Sequence, residues 1–167
     1  GSRLADSGGP VVVLVGSADE AVRPLVESAV ASGKVVWKGP LANPEAMALV
    51  SGSLVGLSLL RDIPNYRKSL PTKVIEYGSQ GVPVITTPLP LAREVVESGG
   101  GGFVMGAFEG DSLVDEAVET IRRLDADPAV RKAIGDKARD KVRKEFNWES
   151  DSKVFLSTLE FVHYLLS

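Results

Sequence analysis

The segment Ser69-Leu70-Pro71-Thr72-Lys73-Val74-Ile75-Glu76-Tyr77-Gly78-Ser79-Gln80 runs directly into Gly81-Val82-Pro83-Val84-Ile85-Thr86, and the change of pattern between them decides the fold. In the first part Val74, Tyr77, Gly78 and Gly81 recur at helical spacing, which predicts a helix from about Leu70 to Gln80. The second part, Val82–Thr86, is a short apolar run bounded by turn residues and predicts a buried strand. The alternation continues outward in both directions. Before it come a strand at Val11–Gly16, a helix over Asp19–Ala31 and a strand at Val35–Trp37. A helix at Asn43–Val50 follows, with Asn43 as its cap and Pro44 in its first turn. Then come a strand at Leu54–Leu60 and an irregular segment, Arg61–Ser69. After it come a short helix at Leu91–Glu97 and a strand at Phe103–Met105. Strands with little polar alternation are covered by helices on both faces. The fold class is therefore α/β, a Rossmann-like doubly wound parallel sheet.

From Asp111 onward only helical periodicity remains, giving additional C-terminal helices. Val114, Ala117, Val118, Ile121 and Leu124 form one stripe, and Val130, Ile134, Ala138 and Val142 a second. Phe155, Leu159, Val162 and Leu166 form a third, beside a further row of Val154, Phe161 and Leu165. A helix apolar on two sides is either wedged into the core of its own domain or built to meet a partner domain.

The chain has 167 residues, 44% of them hydrophobic and 25% charged, which suits one globular domain. With 22 acidic residues against 19 basic ones, it lacks the positive field that drives non-specific nucleic-acid binding. It has no cysteine, so disulfides, thiolate nucleophiles and cysteine zinc sites are excluded. No apolar run approaches the roughly 20 residues that span a bilayer, and no signal peptide is visible. A soluble, cytoplasmic protein is the expectation. Gly1-Ser2 reads as a cloning scar, leaving residues 3–167 as a single domain that is expected to be a fragment of a two-domain enzyme.

Ligands of open parallel sheets bind outside the carboxyl ends of the strands, which directs attention to the loop after each strand. The loop after the third strand is the most informative. It reads Asn65-Tyr66-Arg67-Lys68-Ser69-Leu70-Pro71-Thr72 and combines cations with a helix start. Ser69 would cap that helix and Pro71 would sit in its first turn, leaving free amides that suit an anion such as a diphosphate. Arg67, Lys68 and Lys73 add positive charge. Glu76, one turn further on, either accepts hydrogen bonds from ribose hydroxyls or is a solvated helix residue paired with Lys73 at i, i+3.

Other features are weaker. Gly99-Gly100-Gly101-Gly102 precedes a strand rather than leading from a strand into a helix, so it reads as a flexible turn and not a dinucleotide fingerprint. No Walker lysine pattern appears. The single histidine, His163, lies in the terminal helix and reads as structural, which removes histidine-based triads and metal sites. Arg131, Lys132, Lys137, Arg139, Lys141, Arg143 and Lys144 are interleaved with Asp136 and Asp140. They read as a solvated helix face or, alternatively, as one attracted to a membrane surface or a partner.

The run from Ser69 to Tyr77, continued by Gly81-Val82-Pro83-Val84-Ile85-Thr86, resembles the donor-site signature of retaining glycosyltransferases of the GT-B fold, family four. Val11–Gly16, Val35–Leu41 and Phe146-Asn147-Trp148 add to the similarity, which runs from about residue 10 to the end. The resemblance implies the C-terminal, nucleotide-sugar-binding domain of such an enzyme, transferring a sugar from a nucleoside diphosphate sugar to an acceptor with retained configuration. No metal or other cofactor is implied. By the same resemblance Glu76 holds the ribose, while Ser69, Leu70, Thr72 and Lys73 surround the diphosphate. Backbone at Gly39 and Leu41 meets the nucleobase. Asn65, Tyr66, Arg67 and Lys68 are candidates for donor-sugar or diphosphate contacts. No catalytic side chain and no metal ligand is assigned.

Two departures from the family pattern qualify this. The position eight before Glu76, where many members carry a further glutamate, is Lys68. The strand-and-loop with an arginine and a lysine that usually opens the domain is not found, and Arg3 lies in a different context. The expected partner is an N-terminal acceptor-binding domain of the same polypeptide, with peripheral membrane association open for the full-length enzyme. The fragment alone is expected to fold, to bind nucleotide weakly and not to turn over. A nucleotide-sugar epimerase of the same architecture and a non-enzymatic α/β interaction domain are the alternative readings.

Overall fold

The computed structural model describes residues 2–5 and 8–166, together with side chains over most of that range. Strands β1 (Val12–Leu14) and β2 (Val35–Trp37) pair in parallel, with Val12 opposite Val35 and Leu14 opposite Trp37. Strands β3 (Gly56–Ser58), β4 (Val84–Thr86) and β5 (Gly102–Val104) form a second parallel group, with β4 in the middle. The expected parallel α/β arrangement is present, but in two parts, since no ladder joins β1 to β3.

The middle strand explains the layering. Successive strand residues face opposite sides of a sheet. Accordingly Ile85 packs with Met105, Leu113, Ala117, Val118 and Ile121 on one face. Its neighbour Val84 packs with Val74, Leu89, Ala92 and Val96 on the other. Helices α5 (Thr72–Ser79) and α6 (Pro90–Gly99) cover the Val84 face, and α7 (Gly110–Ala126) covers the Ile85 face. Helices α2 (Arg23–Ala31) and α3 (Asn43–Ser51) follow β1 and β2. The short α1 (Ser2–Ala5) buries Leu4 on the Ile85 face, and its Arg3 pairs with Asp111 at 2.7 Å and with Asp115 on α7. Helix α8 (Pro128–Glu145) lies against α5 and α6, and α9 (Trp148–Leu166) closes the described chain. None of the described helices is long and apolar enough to cross a membrane.

Several local expectations change. The segment predicted as irregular contains a helical turn, α4 (Pro64–Arg67), with Pro64 in its first position. Asn43 is not the cap of α3. It is the first helical residue, and the Ala42 N–H before it donates to the Glu45 carboxylate at 3.1 Å. On α7 the inward position is Leu113, while Val114 is 42% exposed. On α8 Val130 is likewise exposed, whereas Ala138 and Val142 are buried. The apolar residues of α9 stay open to solvent, with Val154, Phe155, Leu159 and Phe161 between 49% and 68% exposed, so this helix is not wedged into the core. The side chains of Leu165 and Leu166, and residue Gly1, lie outside the described residues.

The four glycines are not a flexible turn. Gly100 takes a left-handed conformation (φ 60°) that ends α6. A methyl group at Gly101 would meet Ala138 of α8 at 2.7 Å, and one at Gly102 would meet the Val84 carbonyl oxygen at 2.0 Å. The missing side chains let the run pass close to α8 on one side and to β4 on the other. The basic face of α8 is also only partly free. Arg139 donates to the Gln80 carbonyl at 2.8 Å, Arg131 donates to that of Leu124 at 3.0 Å, and Lys141 pairs with Glu145 at 2.6 Å.

The same close approach decides one substitution. Ala is favoured over Gly within a helix by about 1 kcal/mol. At Gly135 of α8, however, a Cβ would stand 2.0 Å from the Gly81 carbonyl oxygen. Gly135→Ala is therefore expected to destabilise the fold by about 1–3 kcal/mol, the usual cost of overpacking. Urea unfolding at constant m-value measures it, and a gain in stability would contradict the packing described.

Candidate functional site

The segment between β3 and α5 is positioned by two buried hydroxyls. Thr86 donates to the Ser58 carbonyl at 3.2 Å and Thr87 to that of Leu60 at 2.7 Å, tying the carboxyl end of β4 to the chain leaving β3. Helix α5 begins beyond that tie. Its cap is Pro71, in extended conformation (φ −64°, ψ 118°), and it has no side-chain cap. Ser69 is thus not the cap expected from the sequence, because its hydroxyl donates back to the Asn65 carbonyl at 3.1 Å. Pro71 lies just outside the first turn rather than within it. The Val74 N–H turns back onto the Pro71 carbonyl at 3.0 Å, whereas the amides of Thr72 and Lys73 have no partner among the described residues. Two unpaired donors at the positive end of the helix dipole favour an anion.

One turn on, Glu76 and Lys73 form an ion pair, Nζ to Oε2 at 2.6 Å, with the carboxylate side chain only 26% exposed. Both line a cleft of about 670 Å³ that runs between β1 and β3 and is bordered by α3 and Tyr77. Of the two sequence readings of Glu76, the pairing with Lys73 is present, and the carboxylate also faces a cleft. Of the residues singled out in the sequence, Lys73 and Glu76 line this cleft. Gly39, Leu41, Asn65, Tyr66, Arg67, Lys68, Ser69, Leu70 and Thr72 do not.

Those other residues have definite places. Arg67 does not stand as a free cation. Its guanidinium grips Asp62 through two bonds of 2.5 Å, Nε to Oδ1 and Nη2 to Oδ2. That hydrogen bonding holds the Asp62 carboxyl below the usual carboxylate range and raises Arg67. Tyr66 is half-buried against the cluster around Val74 and Leu89, so it packs. Asn65 and Lys68 are exposed. Gly39 has φ 66°, a conformation glycine adopts freely, and its carbonyl accepts the Gly16 N–H at 2.8 Å.

Three features escaped the sequence reading. Tyr77 lies with its ring over Gly56, where a Cβ would stand 2.2 Å away. Its hydroxyl is 3.4 Å from the Leu57 carbonyl, and burial pushes its pKa up. This packing fixes the rotation of α5, and with it the direction of Glu76. The glycine within the apolar run Leu54–Leu60 was the available signal. Second, the Trp37 indole donates to the Gly16 carbonyl at 2.8 Å beneath the Arg23 guanidinium, 5.6 Å from the ring, which stiffens the loop after β1. Third, the Asp62 and Arg67 pair was legible only as opposite charges five residues apart.

The Asp62 shift gives a pH signature. Its folded pKa is depressed, so the stabilisation is fully present above the unfolded value and is lost as pH falls through the folded one. Arg67→Ala is expected to return Asp62 to the ordinary range near 3.9 and to abolish that acid-side loss. Carboxyl-carbon NMR titration checks this, and an unchanged Asp62 in the variant would show that the fork is not its cause.

The profile of the family described as "Glycosyl transferase-like" matches residues 3–157. No curated protein matches the sequence. Among solved structures, the chain is similar to a sucrose-phosphate synthase from Thermosynechococcus elongatus. The TM-score is 0.71 at 22% identity, covering 93% of this chain and 39% of the synthase. It is also similar to WaaG, a glycosyltransferase involved in lipopolysaccharide biosynthesis, with a TM-score of 0.60 at 18% identity, covering 81% of this chain and 34% of WaaG. The chain thus spans between a third and two fifths of the length of these structures.

Proposed function

The chain belongs to the glycosyl transferase-like family, with a parallel α/β fold like that of GT-B glycosyltransferases, and from that premise we propose that it is the donor-binding domain of a retaining enzyme using a nucleoside diphosphate sugar. The observation that carries the reading is the start of α5, where the free amides of Thr72 and Lys73 stand one turn from Glu76 at a cleft. The amides and the Lys73 ammonium take the diphosphate, while Glu76 accepts two hydrogen bonds from the ribose hydroxyls. Hydrogen bonds to a charged acceptor contribute about 1.5–3 kcal/mol. Lys73 moves from Glu76 to the phosphate as the nucleotide enters, so the ion pair is a resting arrangement. The nucleobase lies against backbone at Gly39, through its N–H, and at Leu41.

Transition-state stabilisation in such a transfer needs donors preorganised around the leaving diphosphate. With Arg67 held by Asp62, the cations left near α5 are Lys73 and the exposed Lys68. In this reading the chain alone binds nucleotide weakly and does not turn over. A second domain of the same polypeptide supplies the acceptor site, and no metal is required.

Calorimetric titration of UDP, GDP and ADP tests the proposal. One of the three is expected to bind, and Glu76→Ala is expected to weaken it by about tenfold or more, the factor that 1.4 kcal/mol represents. Equal affinity in the variant would favour the reading in which Glu76 serves only Lys73. No affinity for any of the three would favour a non-enzymatic domain.

A further inference from the structure

Helix α5 is held to the rest of the fold along two lines. Val74 and Gly78 lie four residues apart, nearly one above the other on the helix. Val74 is buried in the cluster around Val84 and Leu89. Gly78 lies so close to α8 that a Cβ there would meet Val142 at 2.8 Å. One line of contacts leaves a helix free to roll about its axis. The second line is Tyr77, with its ring over Gly56 of β3. At about 100° per residue, Tyr77 stands about 60° from Val74 toward Lys73, and Glu76 lies about 100° beyond it. Tyr77 is thus the last packed position before the two charged residues that line the cleft.

The contact is made at the root of the ring. A methyl group on Gly56 would stand 2.2 Å from both Cγ and Cδ2 of Tyr77. Cγ lies on the axis about which the ring spins, so spinning gives no relief. Carbon atoms in contact sit about 3.5–4.0 Å apart, so either α5 moves by about 1 Å or the ring leaves its rotamer. Side-chain tips lie about 5–6 Å from a helix axis, so a roll that absorbs that shift at Tyr77 moves the Glu76 carboxylate by a similar distance. A hydroxyl donating to an oxygen spans about 2.5–3.0 Å, and the bond fails at 1 Å more. Gly56 is not among the glycines of positive φ, so its backbone does not call for glycine. The ring does. The Tyr77 hydroxyl, 3.4 Å from the Leu57 carbonyl, is at the outer limit of a hydrogen bond, which leaves the ring as the carrier of the contact.

We propose that Tyr77 and Gly56 are positioning residues for the ribose: the ring seated on the bare backbone of β3 stops α5 from rolling, and so sets a preference for ribonucleotides over nucleotides that lack the ribose hydroxyls. The proposal rests on the reading in which Glu76 accepts those hydroxyls. Tyr77 and Gly56 make none of the sugar's hydrogen bonds and act through Glu76, so the selectivity is built in β3 and carried by the helix.

The test compares, by calorimetry, whichever of UDP, GDP and ADP binds with its dideoxyribose counterpart. The proteins are the unaltered chain, Gly56→Ala, Tyr77→Leu and Tyr77→Phe. The unaltered chain is expected to prefer the ribonucleotide by about tenfold or more. In Gly56→Ala and Tyr77→Leu the preference is expected to fall to about twofold or less, through weaker binding of the ribonucleotide alone. Tyr77→Phe keeps the original preference. Tyr77→Leu introduces no clash and carries the test if Gly56→Ala does not fold. A merely structural contact would lower Tm and weaken both nucleotides together. That outcome, or an undiminished preference in Tyr77→Leu, would overturn the proposal and leave the ribose role of Glu76 standing. No preference in the unaltered chain would overturn the ribose role itself, and the proposal with it.

Discussion

Double-sided burial of β4 is the constraint on which the rest of the structure depends. Val84, Ile85 and Thr86 have between 0% and 1% of their surface exposed, and consecutive residues point into different clusters. Burying an aliphatic side chain of this size stabilises a fold by about 1.5–3 kcal/mol. A strand committed on both faces cannot shift by one residue without exchanging its two clusters. The register of β4 then sets that of β3 and β5, and the Thr86 and Thr87 hydroxyls carry it into the loop after β3. The start of α5 inherits its place from this chain of contacts.

At the candidate site the fold separates two kinds of cation. Arg67 is locked to Asp62 by a two-bond fork, so its charge serves the loop. Lys73 is held by a single contact to Glu76 on the same helix, in an i, i+3 pair of which the lysine is largely exposed. Such pairs contribute only about 0.2–0.5 kcal/mol, so the contact ties Lys73 only weakly. The difference between a planar fork and a point charge on a flexible stem decides which residue is available.

Much of this was legible in the sequence. Five strands and the main helices follow from apolar runs and helical spacing, and the i, i+3 pairing of Glu76 with Lys73 follows from their spacing. What was not legible depends on distant contacts. Ser69 has the chemistry of a cap, but the turn of α4 before it offers the Asn65 carbonyl first. Val114 and Leu113 are equally apolar, and only the position of α7 over Ile85 chooses between them. Arg67 lies in a run of cations, yet Asp62 across one turn claims it. The division of the strands into two groups has no local signature, because a run such as Val11–Val15 is equally apolar whether or not its second edge is paired.

The glycine run from Gly99 to Gly102 has a practical consequence. Its composition matches that of an interdomain tether, the kind of place where an epitope, a fluorophore or a protease site would be grafted. Here the missing side chains are a steric clearance between a helix and the backbone of the central strand. Any insertion at that point would wedge the two layers apart, so tolerance to grafting follows from local clearance and not from glycine content.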